Sequence, residues 1–228
     1  MSAELTRERA RPPRLLTLPG VYAPQHDTRL LMAALDREEV GPGADVLDLG
    51  TGSGALALHA ARLGARVTAV DIARRAVMTA RLNALLHRHR ITVQRSDLLS
   101  ALPGRCYDLL ICNPPYVPSP IGRLPGHGAA RAWDAGCDGR AVLDRVCAAA
   151  PAALRPGGLL LMVHSGLCDS DATVRRLSEA GLDARVSDRA RVPLGPVLRS
   201  RLRWLRESGL VGRSDTTEEL VVIRAERP

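Results

Sequence analysis

The stretch Asn113-Pro114-Pro115-Tyr116 follows an apolar run at residues 107–112 and carries groups that could hold an amino group. Each proline fixes its own φ, lacks an N–H donor and favours extended geometry in the residue before it. We therefore expect Asn113 on a stiff turn at the carboxyl end of a strand, where open α/β sheets bind their ligands. There the Asn113 side-chain carbonyl and the Pro114 backbone carbonyl could each accept one hydrogen of a planar NH2 group. The alternative is an ordinary proline-rich turn, and the motif alone does not decide between the two.

A glycine-rich loop, Asp48-Leu49-Gly50-Thr51-Gly52-Ser53-Gly54, lies where the first predicted strand turns into a helix. Glycines let the backbone approach a ligand closely, with helix N-terminal N–H groups beside it. Asp71 ends the second predicted strand, 21 residues after Gly50, where a carboxylate accepts hydrogen bonds from ribose hydroxyls. Asp97 and Leu98 follow the third predicted strand, in a position to meet an adenine amino group. In isolation, Asp97 could equally be the N-cap of a helix.

Two cofactors, NAD and S-adenosylmethionine, are candidates for binding at this loop. The pattern Gly50-x-Gly52-x-x-Ala55 matches the dinucleotide fingerprint and by itself would indicate NAD. A dinucleotide, however, places its pyrophosphate at the helix N-terminus, and Asp48 would add negative charge there. S-adenosylmethionine carries an ammonium group, which an acidic residue beside the loop suits. Acidic residues at three successive strand ends therefore favour S-adenosylmethionine.

The elements that would position these residues alternate between strand and helix. Strands are predicted at residues 46–49, 66–70, 91–94, 109–112, 159–163, 184–187 and 220–223. One helix is predicted with Asp27 or Thr28 as its N-cap, and others at 54–63, 73–87, 140–154 (interrupted or kinked at Pro151), 171–180 and 197–207. Residues 117–138 are predicted to form a loop. This alternation implies an α/β fold in which helices cover both faces of a parallel sheet.

The length of 228 residues fits one domain, which we expect at residues 14–228 after a flexible N-terminal arm at residues 1–13. No apolar run approaches membrane-spanning length, and the N-terminus lacks the apolar core of a signal peptide. We therefore predict a cytoplasmic protein without a membrane partner. The five cysteines are odd in number and lack paired spacing, which argues against a metal site.

The formal net charge of +8 could indicate a nucleic-acid partner, but its origin weakens that interpretation. All 32 basic residues are arginine, and the chain has no lysine, no phenylalanine and two asparagines. These three residue types have A/T-rich codons, so a G+C-rich genome explains much of the arginine excess. The helix predicted at 197–207 has leucines on one face and arginines on the other. We interpret its arginine face as a solvated surface, with a docking site for an acidic or RNA-bound partner as the alternative.

Four segments together resemble class I methyltransferases of the HemK/PrmC-like family, the protein-glutamine N5-methyltransferases. They are Val21-Tyr22-Ala23-Pro24 with Asp27-Thr28, the loop from Asp48 to Gly54, the motif from Asn113 to Tyr116, and Gly136-Cys137-Asp138-Gly139. The resemblance covers about residues 20–225 and is to the short branch that lacks the helical N-terminal domain. The chain departs from the family pattern at Asp48, where glutamate is common, and at Cys137, where proline or an acidic residue is usual. Neither departure removes a needed chemical group.

The resemblance implies a Rossmann-like, seven-stranded, mostly parallel sheet with helices on both faces and an antiparallel last strand. It also implies S-adenosyl-L-methionine as the cofactor. With the glycine loop included, the residues expected to bind the cofactor are Thr28, Asp48, Gly50, Gly52, Gly54, Asp71, Asp97, Leu98 and Asn113. The expected catalytic residues are Asn113, Pro114 and Tyr116, with Tyr116 packed against the planar acceptor.

The expected reaction is methyl transfer to a planar NH2 group. The leading hypothesis is N5 of a glutamine in a protein such as a translation release factor. Adenine N6 in nucleic acid is less favoured, because the chain has few aromatic residues for stacking and no room for a recognition domain. A small-molecule acceptor of specialised metabolism is the third hypothesis, and an intact Asn113 argues against a non-catalytic subunit.

Two further features bear on the acceptor and on partners. The loop at 117–138, with His127 and Trp133, could select the acceptor. The alternative for that loop is a disordered surface segment with Trp133 in the core. Eukaryotic members of the family use a small activating subunit, so such a partner is also considered.

Overall fold

The computed structural model describes residues 15–38 and 40–228, which form seven strands in one sheet. The predicted arm at residues 1–13 lies outside the described part of the chain. All seven predicted strands overlap an observed one. The strands are β1 (Asp45–Leu49), β2 (Arg66–Asp71), β3 (Ile91–Arg95), β4 (Tyr107–Cys112), β5 (Leu154–Ser165), β6 (Asp183–Pro193) and β7 (Thr217–Glu226).

The described residues also form five longer helices, two short helices and two 3₁₀ turns. The helices are α1 (His26–Leu35), α2 (Ala55–Arg62), α3 (Arg74–Leu86), α4 (Leu143–Ala153), α5 (Ser170–Glu179), α6 (Pro196–Ser200) and α7 (Leu202–Glu207). The 3₁₀ turns are Ala129–Ala132 and Gly166–Cys168. Within the described ranges, none of these helices combines the length and the apolar character that crossing a bilayer requires.

The strand order in the sheet is β3-β2-β1-β4-β5-β7-β6. The pairs formed among β1 to β5 are all parallel, whereas β7 pairs antiparallel with both β5 and β6. This confirms the Rossmann-like, seven-stranded, mostly parallel sheet with an antiparallel last strand. The chain reverses its direction across the sheet between β1 and β4, and a crevice forms at the carboxyl ends of strands at such a point.

Helices cover both faces of the sheet, because alternate residues of the central strands point to opposite sides. On one face, α4 and α5 pack on the sheet through residues that include Leu143, Val146 and Leu177. On the other face, α1, α2 and α3 do so through residues that include Leu31, Leu56 and Val77. Burial between these two layers fixes β1 and β4, and with them the loops that leave their carboxyl ends.

The first helix does not begin as predicted. Its N-cap residue is Gln25, so the prediction that Asp27 or Thr28 would cap the helix is wrong. Asp27 is only 3% exposed, and its carboxylate accepts hydrogen bonds from two tyrosine hydroxyls. These donors come from outside the helix, so tertiary contacts override the local capping preference.

The C-terminal third differs from the prediction in the lengths of its elements. The helix predicted at 197–207 is two helices, α6 and α7, because Arg201 between them has φ −108° and ψ 7°. Strands β6 and β7 extend to 11 and 10 residues, since they pair with each other along almost their whole length. Pro151 lies inside α4, which continues to Ala153 without the predicted interruption.

Candidate active site

The carboxyl ends of β1, β2 and β4 border a cavity of about 200 Å³, at the point where the strand order reverses. The cavity wall includes most of the residues predicted for the site, namely Thr28, Gly50, Gly52, Asp71, Asp97, Leu98, Asn113, Pro114 and Tyr116. Asp48 and Gly54 are not on this wall. The structure therefore brings the glycine loop, two acidic strand ends and the Asn113 turn into one site.

The glycine loop is tied to the neighbouring strand by its backbone. The N–H groups of Gly50 and Thr51 both donate to the Val70 carbonyl at 2.9 Å. Gly50 has φ +73°, and a side chain there would meet no other atom within 4 Å, so it would stand in the cavity. The missing side chain therefore leaves room for a ligand to approach the loop backbone closely.

Asp48 lies beneath the loop and is fully buried. Its Oδ2 atom accepts hydrogen bonds from the Thr51 hydroxyl at 2.6 Å and from the Ala57 N–H at 3.1 Å. Oδ1 has no partner among the described residues, and burial raises the pKa of this carboxyl to about 7. Asp48 thus joins the loop to the start of α2 and places a titratable group under the cavity.

Gly54 also shapes the loop from beneath. It has φ +85°, and a Cβ atom at this position would lie 3.2 Å from the Cα of Ala80 in α3. Glycine at this position therefore permits both the left-handed backbone and the close approach of α3.

Asp71 lies on the cavity wall at the end of β2. Its Oδ2 accepts the Gly52 N–H at 3.0 Å and its Oδ1 accepts the Ala73 N–H at 2.8 Å. Each carboxylate oxygen has a second acceptor site, so both can still receive a hydroxyl hydrogen from a ligand. Burial raises the pKa of Asp71 above its ordinary value. These features fit a carboxylate that receives the two hydroxyls of a ribose.

Asp97 lies in a tight turn after β3, so the alternative that it caps a helix is wrong. The Asp97 N–H donates to the Ser100 hydroxyl at 3.2 Å, and Leu98 has a left-handed φ of +49°. The Asp97 Oδ1 atom forms an ion pair of 2.8 Å with Arg145 of α4. Both Asp97 and Arg145 line the cavity.

Asn113 follows the last residue of β4, and its side-chain Nδ2 donates to the Thr28 hydroxyl at 3.4 Å. This contact uses the donor end of the Asn113 amide and leaves the carbonyl end available as an acceptor. Pro114, Pro115 and Tyr116 continue the cavity wall. The predicted stiff turn therefore lies beside the glycine loop.

A buried carboxylate joins the Asn113 turn to the segment at residues 21–28. The Asp27 Oδ2 atom accepts the Tyr22 hydroxyl at 2.7 Å and the Tyr116 hydroxyl at 2.9 Å. Its Oδ1 accepts the backbone N–H of Thr28 at 2.5 Å and the Thr28 hydroxyl at 3.2 Å. Burial raises the pKa of both tyrosines, so both hydroxyls remain hydrogen-bond donors at neutral pH.

Comparison with known proteins shows the family to which the chain belongs. The sequence profile of the family described as Methyltransferase small domain matches residues 13–120. A Methanocaldococcus jannaschii protein, named as a candidate protein N5-glutamine methyltransferase, is 34% identical over 176 residues. That alignment covers 77% of this chain and 87% of the relative. This chain belongs to the HemK-like protein-glutamine methyltransferase family.

Two further matches agree with this family. The release factor glutamine methyltransferase of Bordetella pertussis is 38% identical over 174 residues, which are 72% of this chain but only 63% of that enzyme. A solved structure from E. cuniculi is described as the Mtq2–Trm112 complex responsible for methylation of the eRF1 translation termination factor. It aligns at 25% identity and a TM-score of 0.63, covering 92% of this chain and 99% of that one. The chain is therefore a class I methyltransferase.

In this methyltransferase, the loop at 117–138 forms one wall of the cavity through Leu124, Pro125, Gly128, Arg131, Ala132 and Trp133. The alternative that Trp133 lies in the core is wrong. The two ends of the loop are held together, because the Val117 N–H donates to the Trp133 carbonyl at 2.7 Å and the Ser119 N–H to the Gly136 carbonyl at 2.9 Å. Arg201 also holds these two ends together, because it donates to the Pro118 carbonyl oxygen at 3.0 Å and forms an ion pair with Asp134 Oδ1 at 2.6 Å.

The motif from Gly136 to Gly139 supports the back of the Asn113 turn. Gly139 has φ +73°, and a Cβ atom there would overlap the Tyr116 carbonyl oxygen and the Cys168 sulfur. The Cys168 thiol donates to that same carbonyl at 3.0 Å. Only glycine fits between these groups, and its presence fixes the position of Tyr116 from behind.

Several cavity residues were not predicted from the sequence. They include Tyr22, Asp27, Arg131, Val142 and Arg145. Tyr22 and Asp27 lie in the segment that carries the family resemblance, so that motif was the available signal. Arg131 and Arg145 had no sequence signal, because arginine is the only basic residue type apart from histidine in this chain.

Proposed function

We propose that this protein transfers a methyl group from S-adenosyl-L-methionine to N5 of a glutamine side chain in a protein such as a translation release factor. The observation that carries this proposal is the hydrogen bond from Asn113 Nδ2 to the Thr28 hydroxyl, which leaves the side-chain carbonyl of this cavity residue free to accept. The names of the relatives support the choice of acceptor. The chemistry of an acceptor NH2 requires two hydrogen-bond acceptors near the methyl donor, and Asn113 with Pro114 offers them.

The residues present fit the proposed cofactor. The open space at Gly50 allows close approach to the loop, and the Asp71 carboxylate retains two free acceptor sites for ribose hydroxyls. Asp97 and Leu98 would contact the adenine. Asp48 supports the loop from beneath, because its bonds to the Thr51 hydroxyl and the Ala57 N–H hold the loop against the start of α2. When bound, S-adenosyl-L-methionine supplies a methyl group activated by its positively charged sulfur.

The residues around Asn113 orient the acceptor. An amide nitrogen is a poor nucleophile, because its lone pair is delocalised into the carbonyl. The Asn113 and Pro114 carbonyls each accept one N–H of the acceptor, which turns the lone pair towards the methyl group. These two acceptors also favour the pyramidal nitrogen with developing positive charge over the planar ground state. Tyr116 packs against the plane of the acceptor amide.

The experiment that tests this function is mass spectrometry after incubation with labelled S-adenosylmethionine. Three acceptor pools are offered separately: release factors, adenine-containing oligonucleotides and a metabolite extract. We expect label on a glutamine of a release-factor peptide, and none with Asn113→Ala. Label confined to the oligonucleotides or to the metabolites would replace the glutamine assignment with adenine N6 or small-molecule methylation.

We also propose a small activating subunit, which binds the outer face of α3. Four large apolar side chains there are exposed: Met78 (56%), Leu82 (41%), Leu85 (75%) and Leu86 (61%). Such a patch on one helix is typical of an interaction site. The adjacent strand β3 is an edge of the sheet, so one side of its backbone is open to pairing with another chain.

The charge around this α3 face indicates what binds it. Between Asp71 and Asp97 the chain has six arginines and no acidic residue. A partner with acidic and apolar groups would complement the face, whereas a second copy of this chain would bring like charges together. A relative of known structure is a complex with Trm112, which supports a small protein as the occupant.

A further inference from the structure

The ion pair between Asp97 and Arg145 contributes little to the stability of the fold. Both side chains are 45% exposed, and an ion pair this exposed adds little to stability. Yet it joins α4 to the turn after β3 across 48 residues of sequence, and both partners line the cavity. Its position points to a role in ligand binding.

Arg145 determines the orientation of the Asp97 carboxylate. The turn fixes only the backbone, through the Asp97 N–H bond to Ser100 and the bond from the Ser96 hydroxyl to the Leu98 carbonyl at 2.6 Å. Among the described residues, the one side-chain partner of Asp97 is Arg145, which binds Oδ1 at 2.8 Å. Holding one oxygen in this way limits the directions in which the other can accept a hydrogen bond.

We propose that Arg145 is a positioning residue that makes the cofactor site selective for adenine over hypoxanthine. This inference rests on the proposed use of S-adenosyl-L-methionine. Adenine presents an N6 amino donor, which the second oxygen of Asp97 can accept. Hypoxanthine presents a carbonyl oxygen at the same position, and a fixed carboxylate repels it. Without Arg145, the carboxylate can rotate away, so the penalty against hypoxanthine falls.

The test compares the binding of S-adenosylhomocysteine and S-inosylhomocysteine by titration calorimetry. We expect the wild-type protein to prefer the adenosyl ligand by on the order of tenfold or more, as for loss of a hydrogen bond to a charged group. Arg145→Ala should reduce this ratio several-fold, because the adenosyl ligand loses an oriented acceptor and the inosyl ligand loses a fixed repulsion. Arg145→Lys should be intermediate, because it keeps the charge but not the planar guanidinium. The variant Asp97→Asn should no longer prefer the adenosyl ligand over the inosyl ligand.

The matched control is Arg203→Ala, which removes another exposed ion pair, that of Arg203 with Glu207 at 2.8 Å, outside the cavity wall. It should leave the ratio unchanged. A merely structural role for Arg145 would weaken both ligands in parallel, and an unchanged ratio in Arg145→Ala or Arg145→Lys overturns the inference. If the wild-type protein binds neither ligand, the proposed cofactor is itself wrong and the inference is overturned with it.

Discussion

The Tyr116 hydroxyl donates to the Asp27 Oδ2 atom at 2.9 Å, and the Tyr22 hydroxyl donates to the same oxygen at 2.7 Å. Two parts of the site that are 89 residues apart in the sequence are thus joined through one buried carboxylate. Its other oxygen holds Thr28, which in turn contacts Asn113. The position of the Asn113 turn therefore depends on Asp27, a residue that need not touch a ligand itself.

Replacing Asp27 with asparagine should lower kcat/KM by about 10- to 100-fold, since misplaced positioning groups cost this much. The amide can accept at only one end, so Tyr116 or Thr28 loses its partner. Steady-state kinetics with the protein that accepts the methyl group would measure the change. Asp183→Asn, at an exposed position at the start of β6, is the control and should retain wild-type activity. Wild-type kinetics in Asp27→Asn would show that the carboxylate does not position the turn.

Replacing Asn113 with alanine should lower kcat by at least about 100-fold while the Kd for S-adenosylhomocysteine changes little. The carbonyl acceptor is lost, whereas the glycine loop and Asp71 remain. Single-turnover kinetics and calorimetry on the same preparation separate the two effects. A parallel loss of ligand affinity would assign Asn113 to cofactor binding instead of to orientation of the acceptor.

Replacing Gly139 with alanine should displace Tyr116 and reduce activity strongly, because the new Cβ atom would overlap the Tyr116 carbonyl. The matched control is Gly157→Ala. Gly157 has φ +74°, nearly the +73° of Gly139, but its Cβ atom would meet nothing within 4 Å. Both variants carry the same backbone strain, on the order of 1 kcal/mol, so their difference in activity isolates the contact. Equal activities would mean that the turn tolerates the displacement.

The Asp48 carboxyl should make stability depend on pH. Its pKa is raised by burial from 3.8 to about 7, so between these values the folded protein holds a proton that the unfolded chain has lost. This group therefore makes the free energy of unfolding fall as pH rises from about 4 to 7. Buried His164 acts oppositely, because its pKa is lowered from 6.5 to about 4 and its contribution rises with pH over that range.

The substitution Asp48→Asn removes the contribution to the free energy of unfolding that falls with pH. It leaves the contribution of His164, which rises with pH. Urea unfolding at a series of pH values should then give a slope of the unfolding free energy against pH that is more positive than in the wild type from about pH 4 to 7. The variant His164→Gln provides the opposite control, with a steeper fall. Identical slopes in Asp48→Asn and the wild type would contradict the raised pKa.

Replacing Leu85 with aspartate should abolish binding of the proposed activating subunit without unfolding the chain. Leu85 is 75% exposed, so the substitution costs the isolated protein little stability. Co-expression with a small acidic Trm112-like protein, followed by size-exclusion chromatography and activity measurement, would test this. Leu124→Asp, at another exposed leucine that lies beside the cavity, is the control and should still bind the subunit. Failure of the wild-type pair to associate would reject this partner.

The sheet and most of the cavity wall could be predicted from the sequence for a physical reason. Strands β1, β2, β4 and β5 are mostly buried and bounded by glycine, proline or polar residues, so their pattern is local. Gly50 and Asn113 directly follow such strands and Asp71 ends one, and parallel strand ends meet at one edge. Their convergence is therefore a consequence of topology.

The contacts that the sequence does not predict depend on tertiary packing. Asp27 does not cap the helix, because its carboxylate accepts hydrogen bonds from Tyr22 and from the distant Tyr116. Arg145 is one of 32 arginines and has no distinguishing sequence pattern. Strand β6 is an edge strand with alternating exposed and half-buried residues, so its full length follows from pairing with β7. Such partners cannot be assigned before the fold is known.

The two ends of the loop at 117–138 are held together by Arg201 and by paired backbone groups, so the sequence between them can vary. Substitutions or insertions between residues 120 and 131 alter the rim of the cavity but leave both anchored ends where they are. The rim of the cavity can therefore vary in sequence and length while the glycine loop and the Asn113 turn keep their positions.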